Sequence, residues 1–249
     1  MNSQLSSSGK QISILLLMLI AIISCKSKDN KDRPTKVEKG NIIDNKKIIK
    51  LNDARTIKVL DTDFSKGRLR LEHELTLKDI EKFHGHLCDG LVVGSLAILE
   101  AMKVLYPKQV IDRTNLRIVS KPSPCLTDAA VYLSGGRYQF NTFYVDMDFE
   151  GLYIIQRIDN LKTVSVSLNS GIKPKEIDSL GKMAIQKKLS PCDLDHLHNL
   201  EDNFTQTLLQ SDPGELFTVK EIPNFEWHPK EKNDYIKTDV LNKDVPECK

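Results

Sequence analysis

Hydrophobic positions follow three different regimes along this 249-residue chain. The first is an apolar run, Ile12 to Ile23, interrupted only by Ser13 and preceded by a polar start carrying Lys10. It is shorter than the about 20 apolar residues that span a bilayer. Its length fits a secretory h-region, with the small Ser24 before a cleavage point. The second regime is polar and reaches residue 52. The third, from there on, is periodic. Thr76-Leu77-Lys78-Asp79 reads as a helix start, a hydroxyl cap followed by a first-turn carboxylate, and that helix ends around Gly85. A longer helix begins at Asp89-Gly90 and carries Leu91, Val92, Leu96, Leu99, Met102 and Leu105, a pattern that predicts burial. Leu116 to Val119 reads as a strand. Ser123-Pro124 opens another helix, which runs to Leu133 and stops at Gly135-Gly136. Strands are expected at Thr142–Phe149, Leu152–Ile158 and Leu161–Leu168, the last two flanking an Asp159-Asn160 turn. Helices over 174–188 and 191–209 follow. The first groups Ile177, Leu180 and Ala184 on one face, the second Leu197, Leu200, Phe204 and Leu208. A strand, Leu216 to Ile222, closes the pattern. Strands segregated from helices predict an α+β domain, a mixed sheet packed against helices.

Cys25, directly after the apolar run, changes how the N-terminus is read. A cysteine at that place resembles the lipobox of bacterial lipoproteins, in which the thiol receives diacylglycerol and becomes the new N-terminus. The division expected is therefore a signal peptide over 1–24, a lipidated Cys25 with a basic tether over 25–52, a domain over 53–225 and a charged tail over 226–249 punctuated by Pro229 and Pro246. An uncleaved signal anchor is the alternative. The resemblance implies export and a lipid anchor in a bacterial membrane, the periplasmic or surface face of the outer membrane first. Without Lys10, one of the 36 Lys+Arg, 35 remain against 34 Asp+Glu. So even a balance provides no concentrated basic face and speaks against a nucleic-acid partner. Lys26 to Lys50 is locally basic, suited to anionic headgroups or to service as a solvated tether.

Candidate chemistry sits at the break between the first two helices, in Phe83-His84-Gly85-His86-Leu87-Cys88-Asp89-Gly90. His84, His86 and Cys88 follow a His-x-His-x-Cys spacing where the chain is free to fold back. Imidazole and thiolate are preferred ligands for zinc and related transition-metal ions. Cys88 also stands at the next helix's N-terminus, where unpaired N–H groups favour a thiolate and hence a reactive sulfur. Cys125 repeats that placement. Asp128, three residues on, shares its helix face, and can hold a histidine by its second ring nitrogen or transfer protons. Cys88 and Asp128 are thus the candidates for catalysis. His84, His86, Cys88 and Cys125 are those for metal. Other readings stay open: the histidines as helix caps, or a structural Cys88–Cys125 disulfide, which export would permit. Cys192 and His196, at i,i+4 with His198 nearby, form a secondary metal candidate.

The segment Phe83-His84-Gly85-His86-Leu87-Cys88, followed by Gly90-Leu91 and Gly94, is similar to the signature of the E-subunit family of formylmethanofuran dehydrogenase. Cys125-Leu126-Thr127-Asp128-Ala129-Ala130 resembles its second motif, and Leu208 to Phe217 its closing helix-to-strand passage. The likeness runs from about Leu75 to Ile222. It implies an α+β core with a topology comparable to the catalytic domain of glyceraldehyde-3-phosphate dehydrogenase, often dimeric. It also implies a metal site, commonly zinc, with the family's ligands falling on His84, His86 and Cys88 and its second pair on Cys125 and Asp128. Asp89 departs from the family's usual proline and sets an anion beside the thiol. Arg137-Tyr138-Gln139-Phe140 lacks the expected Gly/Thr/Lys character, and no pair of Cys-x-x-Cys motifs follows the core. The functions expected are a metal-dependent enzyme or redox accessory outside the cytoplasm, a metal-scavenging or delivery lipoprotein, or a disulfide-stapled structural domain. The sequence names no substrate.

Overall fold

A computed structural model describes residues 56–107, 109–229 and 243–244. The expected signal peptide, Cys25 and the tether lie outside the described residues, as does most of the tail. Two strands absent from the sequence reading open the fold. β1 (Ile57–Thr62) and β2 (Leu69–Leu75) pair antiparallel, and β1 pairs in parallel with the short β3 (Ile111–Asp112). Charge conceals them: β2 leaves Arg70, Glu72 and Glu74 exposed and buries only Leu75, so it lacks the regular alternation that marks a half-buried strand.

The helices α1 (Leu77–His84) and α2 (Asp89–Leu105) follow, then β4 (Leu116–Ser120), α3 (Pro124–Ser134), β5 (Phe143–Val145), β6 (Tyr153–Arg157) and β7 (Thr163–Leu168). α4 (Lys175–Ile185), α5 (Pro191–Gln210), the single turn α6 (Pro213–Leu216) and β8 (Phe217–Glu221) complete the order. The second sheet runs β5-β4-β6-β7-β8, antiparallel except for the parallel β4–β5 pair. The domain is α+β with mixed sheets, as the pattern predicts. Two boundaries differ from expectation. The strand expected over 142–149 pairs only over Phe143–Val145. The connection after β6 is longer than a two-residue turn: the Arg157 N–H donates to the Lys162 carbonyl, with Leu161 in the left-handed region at φ 58°.

The inner face of the five-stranded sheet presents Leu116, Ile118, Tyr153, Ile155, Val164 and Val166, none with any exposed surface. α2 lies against it and buries Leu91, Val92, Leu96, Ile98 and Leu105. Each such side chain contributes about 1.5–3 kcal/mol relative to exposure, which makes α2 the organising helix. The outer face is closed by the last described stretch. Gln156 is fully buried there, its Nε2 donating to the Thr163 Oγ1 and the Phe225 carbonyl. Trp227 donates from Nε1 to the Asn141 carbonyl, lies edge-on to Tyr144 and receives the Arg117 guanidinium 4.9 Å above its ring. The start of the tail is therefore packed against the sheet through Trp227. Among the described residues, no helix is long and apolar enough to cross a membrane.

α2 and α3 pack closely because α2 has glycine where they touch. A Cβ at Gly94 would stand 2.5 Å from the Tyr153 Oη and 3.1 Å from the Leu126 Cδ2. That hydroxyl is committed, since Tyr153 donates to the Leu126 carbonyl at 2.9 Å. Replacing Gly94 by alanine gains up to about 1 kcal/mol of helix propensity but costs about 1–3 kcal/mol through overpacking. We expect Gly94→Ala to lower the urea midpoint. An unchanged or higher midpoint would show that the helices can separate at no cost.

Candidate metal centre

The site is assembled from three helix ends. α1 begins with a capping box in which the Thr76 hydroxyl and the Asp79 carboxylate satisfy each other's backbone N–H groups. It ends at Gly85, whose φ of 102° and N–H bond to the Glu81 carbonyl turn the chain sharply. A side chain tolerates that backbone poorly. The turn folds His86 back on His84, their ring centroids 4.7 Å apart and inclined by 41°. Leu87 leads to Cys88, the N-cap of α2.

His84, His86 and Cys88 each offer a donor atom within 4.8 Å of the others, and no other such trio of His, Cys, Asp or Glu occurs among the described residues. Cys125 is outside that mutual trio but touches it: its Sγ lies 3.4 Å from the Cys88 Sγ. Both cysteines are free thiols. The Cys88 Sγ is also 3.8 Å from the His84 Nε2. Donors about 2.0–2.3 Å from a tetrahedral ion are separated from one another by roughly 3.3–3.8 Å. The donor types and these two separations therefore fit a zinc-like ion.

Asp128 is one turn beyond Cys125 on α3 and reaches across to α1, its Oδ2 2.8 Å from the His84 Nδ1. A carboxylate can only accept, so Nδ1 carries the hydrogen and Nε2 is the ring's free donor. Such a contact between Asp128 and a histidine ring is one of the two possibilities the sequence offered. The His84 side chain keeps 6% of its surface exposed. Burial opposes its charged form, but the Asp128 hydrogen bond and the Cys125 sulfur outweigh that and raise its pKa above 6.5.

The two sulfurs titrate as one unit. The hydrogen bond between the two sulfurs lowers the Cys125 pKa to about 6, aided by His84 and Ser123 against the effect of burial. The same hydrogen bond and burial push Cys88 up, with the Leu91 amide opposing and Asp89 adding to the rise. In the unmetallated pair one proton is therefore easily lost while the other is held between the two sulfurs. Asp89, the residue in place of the family's proline, accepts from the Gly90 N–H and faces α4 and α5, where burial raises its own pKa.

The roles of two residues behind the sulfurs, Gly90 and Tyr153, escaped the sequence reading. Gly90 admits Cys125, because a Cβ there would lie 3.0 Å from its Sγ. Tyr153 props the first turn of α3 through the Leu126 carbonyl. Glycines four apart on an apolar helix were the available signal. The secondary candidates remain scattered. Cys192 is exposed, His196 contacts Glu176 at 3.1 Å, and His198 faces Asp202 at 3.5 Å.

A histidine with a raised folded-state pKa stabilises the fold fully below its unfolded value near 6.5, and loses that contribution as pH climbs through the raised one. In the metal-free protein we expect the His84 ring to titrate above 6.5 and to shift downward in Asp128→Asn, read by NMR. An unmoved midpoint would remove Asp128 from the site.

None of the curated proteins matches the chain. Residues 83–218 match the family described as "FmdE, Molybdenum formylmethanofuran dehydrogenase operon". The match starts at Phe83, just before the first histidine of the cluster, and ends at Thr218 inside β8. It covers more than half of the sequence, and on that extent the chain belongs to the FmdE family.

Proposed function

We propose that the protein is an exported lipoprotein, anchored through Cys25, whose FmdE domain holds a transition-metal ion, zinc first, outside the cytoplasm. His84, His86 and Cys88 would hold it, with Cys125 as a fourth donor. The observation that carries this reading is the mutual approach of two imidazoles and a thiol within 4.8 Å at a helix break. The Asp128 carboxylate on the His84 Nδ1 supports it, because it leaves Nε2 free for the ion.

An ion at this site would supply Lewis-acid polarisation of whatever occupies an open coordination position. The chain's own residues prepare for it. Asp128 fixes the ring and tautomer of His84. The proton shared by Cys88 and Cys125 must leave when both sulfurs ligate, so loading is coupled to proton release and strengthens with pH. His86 is solvent-exposed, which supports a second reading in which the domain takes up or delivers the ion without catalysis. A small apolar pocket lies elsewhere, lined by groups such as Ile57, Leu75, Ile80 and Leu96.

Elemental analysis of protein from the native source should find about one ion per chain. Metal should be lost in His84→Ala and in Cys88→Ser, retained in Cys192→Ser, and bound about 10–100-fold more weakly in Asp128→Asn. Unchanged metal content in the first two variants would place any ion elsewhere. The anchor is tested separately: Cys25→Ser should move the protein from the membrane to the soluble fraction and abolish lipid labelling. Persistent labelling would refute lipidation at that cysteine.

A further inference from the structure

The two sulfurs lie 3.4 Å apart, and they are held by helices rather than by loops. Cys88 caps α2 with extended backbone and makes no capping bond through its side chain. Cys125 lies in the first turn of α3. The contact of Gly90 with Cys125 and the Tyr153 hydroxyl on the Leu126 carbonyl fix the two helix starts against each other. From a separation of 3.4 Å, a bond of about 2.05 Å needs only about 1.4 Å of closure, within reach of small side-chain rotations. Both cysteine residues are partly exposed, which gives an external reagent a side from which to approach.

We propose that the site has a second activity: Cys88 and Cys125 form a dithiol that exchanges with external disulfides, and the resulting bond excludes the metal ion. The exclusion rests on the metal reading above. In the exchange, one cysteine thiolate attacks a sulfur of the external disulfide RSSR, forming a mixed disulfide and expelling RS⁻. The second cysteine, as thiolate, attacks the protein sulfur of that mixed disulfide, forms the Cys88–Cys125 bond and expels the second RS⁻. Two electrons pass from the protein to RSSR, and the two cysteine protons end on the released thiols. Both thiolate donors are consumed. His84 and His86 alone then remain, too few for a closed four-donor site. Small-molecule and protein disulfides of an oxidising compartment are the substrate class.

The test uses the full-length chain, reduced and loaded with zinc, then treated with oxidised glutathione. Peptide mapping by mass spectrometry reports the bond, and a chromogenic chelator reports the zinc. The expected result is a linked Cys88–Cys125 peptide, one zinc released for each bond formed and reversal by dithiothreitol. Zinc affinity of the oxidised form should fall more than about 100-fold, beyond the loss of an outer-shell partner. Cys192→Ser should behave as wild type, and Cys125→Ser, with near-ultraviolet circular dichroism confirming its fold, should yield no linked peptide. Glutathione adducts on Cys88 or Cys125 without the linked peptide, from a protein that binds zinc, would overturn the exchange and leave the metal reading standing. A linked peptide that retains its zinc would overturn the exclusion. A linked peptide in a protein that never binds zinc when reduced would overturn the exclusion and the metal reading together.

Discussion

The centre depends on a steric permission: two helix starts, α2 and α3, can lie side by side only because Gly90 and Gly94 present no Cβ at the crossing. Side chains there would meet Cys125, Leu126 and the Tyr153 hydroxyl. Removing that permission would separate the sulfurs before any question of ligands arose. The hydrophobic face of α2 supplies the energy that presses the helices together, and the sheet beneath, through Tyr153, fixes how far α3 can slide. Packing comes first in this site, and chemistry is laid over it.

That packing has an electrostatic result. Two helix N-termini point their unpaired N–H groups towards one small region that contains two sulfurs, two imidazoles and a carboxylate. With no cation present, a proton lies between the thiols and Asp128 favours the charged form of His84. A cation displaces the need for that proton. The same contacts therefore describe a stable metal-free state and a prepared metal-binding one. The FmdE family match spans the elements that build this arrangement.

The helices were legible because their signals are local. A capping hydroxyl at Thr76, Pro124 at the start of α3, and Gly85 and Gly135 at helix ends all act within a turn of the chain. The cluster was legible for a similar reason, since His84, His86 and Cys88 lie within five residues. The partnership of His84 with Asp128 could be suggested from residue types, but only the fold shows which nitrogen it engages. β1 and β2 were not legible, because their charged residues face solvent on a small sheet that buries few side chains. Nor was the contact between the two sulfurs, which depends on how α2 and α3 pack. Tyr153 was read as part of a strand, and nothing in its neighbours announces that its hydroxyl reaches α3.

Gln156 carries a consequence that reaches beyond its own strand. Its carboxamide is sealed beneath the closing stretch of chain and finds one of its acceptors in the Phe225 carbonyl. Trimming that stretch would uncover aromatic surface and also strip one acceptor from the buried Gln156 amide. The damage would fall on β6, which holds Tyr153 three residues earlier, and through Tyr153 on the seat of Cys125. A protease clipping near the end of this domain would thus be acting, at a distance, on its sulfur chemistry.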